Sequence, residues 1–259
     1  MVGPTLRSRE TFRIGAGTYW KVRTWAVPDT GGMTNRARLM DTATPAHPSG
    51  VVLVLHGGAS RAESMMVSPT QLSVLRMVPV AGRIARAGRG RLTVVRLLNS
   101  VRGWDTRHTP VEDVRWALSE LKDSLQHGAG DLPVCLVGHS LGGRAALMAG
   151  DQPEVRSVVA LNPWVQTTDR VDLAGRPTLV VHGTDDRVAD PRKSAALVSE
   201  LARTAPVGYL RVTGGRHAML GHRSVFERAA ADFATATLLG TRVGGPVGEL
   251  LEGEREVTV

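Results

Sequence analysis

Among 259 residues there is one cysteine, Cys135. No disulfide can form within the chain, and no cluster of residues has metal-ligand spacing, so no metal is expected. Cys135 stands in the apolar run Val134-Cys135-Leu136-Val137 and reads as a small buried hydrophobe. Lysine is almost missing: Lys21, Lys122 and Lys193 are the only three, and arginine supplies the rest of 32 basic residues against 24 acidic ones. Aromatic residues make up only 4%, and none interleave with the arginines as a stacking platform, which argues against nucleic acid as a partner. No window approaches the roughly 18 consecutive apolar residues of a membrane span. Residues 1–19 have no apolar signal-peptide core, so the expectation is a soluble, cytoplasmic protein. There is no internal repeat.

What is present fits a folded domain with a sizeable core. Apolar residues are 42% and charged residues 22%, enough core and too little charge for wholesale disorder. From residue 50 onward, short apolar runs alternate with amphipathic stretches. Strands are expected at 51–55, 92–98, 134–138, 155–161, 178–182 and 208–212. Helices are expected at 71–89 (interrupted near Pro79), 110–126, 141–150, 191–203 and 223–239. This alternation predicts an α/β fold with a mostly parallel sheet flanked by helices. The division expected is an N-terminal segment, 1–49, with edge strands near 20–27 and 36–40, a main domain, 50–239, and a mobile tail, 240–259, part of which could be a weakly docked helix. The tail is Gly-rich and then acidic.

Ligands of such sheets bind at the carboxyl ends of the strands. Gly138-His139-Ser140-Leu141-Gly142 lies between a strand and a helix. A hydroxyl on that tight turn stands clear of the backbone, and the flanking glycines let the turn close. The helix that follows aims its N-terminal N–H groups at the same spot, which makes the Leu141 N–H an oxyanion donor. His56-Gly57-Gly58 follows another strand, and the Gly58 N–H is the second candidate donor. His182-Gly183-Thr184-Asp185-Asp186 and Gly214-Gly215-Arg216-His217 each follow an apolar strand. A serine hydroxyl needs an imidazole to take its proton and a carboxylate to fix the imidazole's tautomer. The order Ser140, an aspartate, His217 supplies both.

These motifs resemble the α/β-hydrolase family over roughly residues 50–239. The resemblance selects Asp186 over Asp185 as the acid, and His217 over His222 as the base. It implies the α/β-hydrolase fold, a Ser140–His217–Asp186 triad, an oxyanion hole at Gly58 and Leu141, and no cofactor. Only residues 162–176 separate the strand before Asn162 from Pro177, too few for a large cap domain. The chain is therefore similar to small uncapped carboxylesterases and dienelactone-hydrolase-like members. A Ser nucleophile without a cap argues against epoxide hydrolases and dehalogenases. The implied activity is cleavage of a small acyl substrate, with ester first, thioester second and amide or peptide third. An inactive binding protein of the same fold is the alternative. The sequence leaves the oligomeric state unknown.

Other residues carry two readings. Trp104 and Trp164 sit just past strand ends, where a substrate-pocket wall is as plausible as packing. His139 and His182 read as packed or hydrogen-bonded, and Asp190 before Pro191 as a helix cap. The stripe Met65, Met66, Leu72, Leu75, Val78 reads as core before lipid pocket. Nine arginines fall between Arg61 and Arg107. Arg83, Arg86 and Arg89 form one helical stripe. A solvated face is the plain explanation. Attraction of an anionic substrate, with Arg61 and Arg102 bordering the cleft, is the sharper one.

Overall fold

The computed structural model describes residues 9–13, 19–23, 37–59, 67–125 and 132–259. Its strands are β1 (Arg9–Arg13), β2 (Tyr19–Arg23), β3 (Arg38–Ala43), β4 (Gly50–Leu55), β5 (Leu92–Leu98), β6 (Val134–His139), β7 (Val155–Leu161), β8 (Thr178–Gly183), β9 (Val207–Val212) and β10 (Glu256–Thr258). The helices are α1 (Leu72–Leu75), α2 (Met77–Ala87), α3 (Thr109–Leu125), α4 (Leu141–Met148), α5 (Pro191–Leu201), α6 (Arg223–Leu239) and α7 (Gly245–Leu251). Among the described residues the strands form one sheet in the order β1-β2-β3-β5-β4-β6-β7-β8-β9-β10. Strands β4 to β10 run parallel to one another, and β1, β2 and β3 add antiparallel pairs at one edge, β3 pairing with β5.

The sequence of β4, Gly-Val-Val-Leu-Val-Leu, is apolar throughout because both faces of the sheet are covered. Alternate residues divide between two cores. Val51, Leu53 and Leu55 pack with Leu136 of β6, Val114 and Leu118 of α3, Leu147 of α4 and Val198 of α5. Val52 and Val54 pack with Cys135 and Val137 on the other face, against Met77 and Ile84 of α2 and Phe226 and Phe233 of α6. The two-residue period of a strand thus converts one apolar run into two buried faces. The chain leaves β4 toward β5 and then returns past β4 to β6. The gap between β4 and β6 is therefore a topological switch point, where the carboxyl ends open a crevice.

The break expected near Pro79 falls at Arg76, between α1 and α2. Proline has no N–H to return to the Leu75 carbonyl, so Pro79 is accommodated in the first turn of a new helix. Asp190 caps α5, accepting from the Arg192 N–H at 2.9 Å, with Pro191 in the first turn. Residues 24–27 of the expected N-terminal strand, together with Arg61, Met65 and Met66, lie outside the described residues. Leu72 and Leu75 of the apolar stripe are at the surface, not in the core.

The segment 240–259, expected as a mobile tail, forms α7 and β10. Val247 and Leu250 are buried in the α2/α6 core, and β10 extends the sheet beside β9. Its acidic residues are compatible with order because an edge strand keeps a solvated side.

The 162–176 connection, short as expected, is tied down by an ion pair. Arg144 of α4 grips Asp169 with two hydrogen bonds, one of 2.8 Å from Nε to Oδ2 and one from Nη2 to Oδ1. Both side chains are buried. Arg144→Met would leave the Asp169 carboxylate buried and unpaired, at a cost of about 3–5 kcal/mol in unfolding free energy. Urea melts measure this loss. The double variant with Asp169→Leu should recover most of it, and failure to recover would show that the pair is not the cause.

Candidate active site

Ser140 sits between β6 and α4 at φ 55° and ψ −117°, a backbone conformation that non-glycine residues rarely adopt. The turn is held by its own surroundings. The Ser140 N–H donates to the Leu161 carbonyl, and the Ser140 carbonyl accepts from the N–H groups of Arg144 and Trp164, each at 3.0 Å. The two motif glycines are sterically required. A Cβ at position 138 would lie 2.1 Å from the Gly142 carbonyl oxygen, and one at position 142 would lie 2.5 Å from the His56 carbonyl oxygen.

The residues expected to act together are brought together. His217 Nε2 is 2.9 Å from Ser140 Oγ, and His217 Nδ1 is 2.7 Å from Asp186 Oδ2. Asp185 does not join them; it is exposed on the same turn. Asp186 Oδ1 accepts from the N–H groups of Val188 (2.8 Å) and Ala189 (2.9 Å). His182 Nε2 lies 3.3 Å from Asp186 Oδ2 and 3.2 Å from the Ala189 carbonyl oxygen. Both neighbours are acceptors, so the proton of His182 is on Nε2. Its Nδ1 then accepts from the Ser194 hydroxyl at 2.8 Å. Burial alone would raise the Asp186 pKa, but hydrogen bonds from His182, His217 and the Ala189 N–H hold its carboxyl well below the usual carboxylate range. An ionised Asp186 fixes the His217 proton on Nδ1 and leaves Nε2 free to accept from Ser140.

The His217 backbone is anchored separately. Asn162, fully buried just past β7, donates from Nδ2 to the Arg216 and His217 carbonyls at 3.1 and 3.2 Å, and its Oδ1 accepts from the Gly183 N–H at 2.9 Å. It ties the acid turn to the histidine turn. His139 Nε2 donates to the same His217 carbonyl at 2.8 Å. The sequence offered no signal for these roles, since each partner is distant in the chain.

On the β4 side, His56 Nδ1 donates to the Gly57 carbonyl at 2.6 Å and its Nε2 accepts from the Asn99 N–H at 3.1 Å. The Ala59 N–H is taken by the Arg102 carbonyl at 2.8 Å, whereas the Gly58 N–H has no acceptor among the described residues. A Cβ on Gly58 would lie 2.2 Å from the Arg102 carbonyl oxygen, so only glycine fits. The Leu141 N–H opens α4 and has no helical acceptor.

A cleft of about 540 Å³ opens over Ser140, His217, Gly58 and Leu141. Trp164 lines it; Trp104 is not among the lining residues. The Arg144 guanidinium lies 3.9 Å from the Trp104 ring centre and 5.1 Å from that of Trp164, so Trp104 backs the Arg144–Asp169 pair. Of the arginine run, Arg76 lines the cleft, and Arg83 faces Glu227 of α6 at 4.0 Å. Among the described residues no group of His, Cys, Asp and Glu could hold a metal ion, and no helix is long and apolar enough to cross a membrane.

Two buried histidines make the protein acid-sensitive. Burial pushes the pKa of His139 down to about 3, with the His217 charge adding to it, and that of His56 down to about 4. Both bind a proton in the unfolded chain before the folded one. Their contribution is present above the ordinary histidine pKa of about 6.5 and is lost as pH falls through the folded values. Asp113 acts oppositely: burial raises its pKa to about 6, so the folded protein takes up its proton first. Between about pH 4 and 6 these three groups together leave the unfolded chain one proton ahead, a contribution of about 1.4 kcal/mol of stability lost per pH unit. In Asp113→Asn the slope should steepen by about a further 1.4 kcal/mol per pH unit. Denaturant melts across this range check both slopes.

Strand order and the strand-to-helix turn at Ser140 together define the α/β-hydrolase fold. Residues 118–230 match the family model described as PETase: PET hydrolase-like. An α/β serine hydrolase without lid from Xanthomonas campestris superposes with a TM-score of 0.61 at 17% identity, covering 79% of this chain and 91% of that one. A putative α/β hydrolase from Agrobacterium tumefaciens gives 0.60 at 19%, covering 81% and 95%. Est1E from Butyrivibrio proteoclasticus gives 0.55 at 13%, covering 78% and 93%. At these identities the likeness is one of fold. No curated protein matches the chain in sequence.

Proposed function

We propose that this protein is a serine hydrolase that cleaves carboxylic esters through an acyl-enzyme. Ser140 Oγ attacks the acyl carbonyl carbon while His217 Nε2 takes its proton. The Gly58 and Leu141 N–H groups stabilise the tetrahedral oxyanion. The C–O bond to the leaving alcohol breaks as His217 returns the proton to that oxygen. Water, deprotonated by His217, then releases the acid and restores Ser140. Asp186 holds the imidazole's tautomer and stabilises the imidazolium without taking its proton.

The observation that carries this reading is the unbroken hydrogen-bonded series from Ser140 through His217 to Asp186 at the floor of an open cleft. The match to a PET hydrolase-like family model supports ester over amide, since PET is a polyester. The short 162–176 connection supports open access for the acyl group, with Trp164 as one wall. Turnover of p-nitrophenyl acetate, butyrate and octanoate, beside matched acyl thioesters and anilides, tests the reading. The expected ranking is ester, thioester, then anilide. Turnover of the anilide alone, or of none of them by folded protein, would overturn it.

A further inference from the structure

The arginines of this chain differ in what they face. Arg144 is paired with Asp169 and covered by Trp104. Arg83 and Arg223 face Glu227. Arg76 stands at the break between α1 and α2, lines the cleft beside Ser140, and forms no ion pair among the described residues. Its Nε is buried and has no hydrogen-bond acceptor. Ser73, three residues earlier, also lines the cleft, and its Oγ is likewise buried without a partner. Desolvating a guanidinium and a hydroxyl without acceptors is costly, and a protein tolerates this where a ligand supplies them. A third unpartnered atom in the cleft, His139 Nδ1, is an acceptor because Nε2 holds that ring's proton; Arg76 Nε can only donate, and the Ser73 hydroxyl is free to donate beside it. What Arg76 and Ser73 lack is an acceptor, and beside a guanidinium an anionic one fits best.

We propose that the ester cleaved at Ser140 carries a carboxylate or phosphate, held in the cleft by the Arg76 guanidinium and the Ser73 hydroxyl. This rests on the hydrolase reading above and names the substrate class. A guanidinium presents paired N–H groups that match two oxygens of either anion, and the Ser73 hydroxyl adds a third donor. His139, which shares the cleft, is kept neutral by burial and so does not compete for the anion. The formal net charge of +8 draws anionic esters toward the surface in low salt.

The test compares esters that differ only in charge. One arm sets p-nitrophenyl hydrogen glutarate against p-nitrophenyl methyl glutarate, with the charge on the acyl side. The other sets 3-carboxy-4-nitrophenyl butyrate against its methyl ester, with the charge on the leaving group. Wild type should prefer the charged member in one arm, which locates the anion. In Arg76→Gln the charged-to-neutral ratio of kcat/KM should fall by about 10- to 100-fold, the range for a lost charge-assisted hydrogen bond. Arg76→Lys should retain part of the ratio. No wild-type preference in either arm, or a ratio that Arg76→Gln leaves unchanged, overturns the inference.

Calorimetric titration with glutarate, inorganic phosphate and neutral dimethyl glutarate reads the same site without turnover. Wild type should bind one anion and not the diester; the tighter anion separates carboxylate from phosphate. Binding of neither anion overturns the inference, including where Arg76→Gln does not fold. If neutral esters are turned over and Ser140→Ala abolishes this, the hydrolase reading stands whatever the ratio. If no ester is turned over yet an anion binds and Arg76→Gln weakens it, the hydrolase reading fails and the anion site remains.

Discussion

Ser140→Ala is expected to lower kcat on an activated ester by about 10⁶-fold, to the level left by the oxyanion donors and binding alone. The protein should still fold. Ser140 Oγ has one hydrogen bond, to His217, and alanine keeps the same backbone demand. That demand itself gives a second readout. Position 140 sits at φ 55°, and holding a residue with a Cβ there costs on the order of 1–3 kcal/mol. Ser140→Gly should therefore be more stable than Ser140→Ala by about 1 kcal/mol, after the extra chain entropy of glycine. Both variants should be equally inactive. Turnover that survives in Ser140→Ala would point to a different nucleophile. Equal stability of the two variants would mean that the turn at residue 140 is not strained in solution.

Asp186→Asn is expected to lower kcat by about 10⁴-fold and the melting temperature with it. The carboxylate accepts from His217 Nδ1, His182 Nε2 and the N–H groups of Val188 and Ala189. An amide has one oxygen. If it faces the two backbone donors, its NH₂ meets the N–H of His217. The imidazole must then move its proton to Nε2, which points at Ser140 and can no longer act as a base. The NH₂ also meets the His182 N–H, whose other neighbour is the Ala189 carbonyl. Asp185→Asn is the control. Asp185 is exposed, and its side-chain contact is with the Thr184 hydroxyl at 3.3 Å, so kcat should stay within about twofold. A loss in Asp185→Asn as large as in Asp186→Asn would reassign the acid.

The reach of the sequence ended where contacts became long-range. The β4 and β6 runs are apolar without alternation, and only a strand covered on both faces explains that at such length. The turn at Ser140 was legible because its glycines and its place between strand and helix are local facts. The order of serine, aspartate and histidine was legible in the sequence, and the resemblance to a known family chose Asp186 over Asp185 and His217 over His222. Asn162 was not, because its hydrogen bonds reach residues 183, 216 and 217, and no local pattern announces them. His182 read as one packed histidine among several until its two acceptor neighbours fixed its proton on Nε2. Trp104 lay near a strand end, but the stacking of Arg144 decided which way it was used. The tail is Gly-rich and then acidic, which suggests mobility, yet Val247 and Leu250 suffice to dock a short helix and leave β10 on the open edge of β9.

The most direct test of the central claim is labelling of folded protein with a fluorophosphonate, read by intact mass and peptide mapping. One adduct per chain is expected, on Ser140, formed quickly in wild type, slowly in Asp186→Asn, and not at all in Ser140→Ala. Folded wild type that stays unlabelled, or Ser140→Ala that labels as readily as wild type, would contradict it.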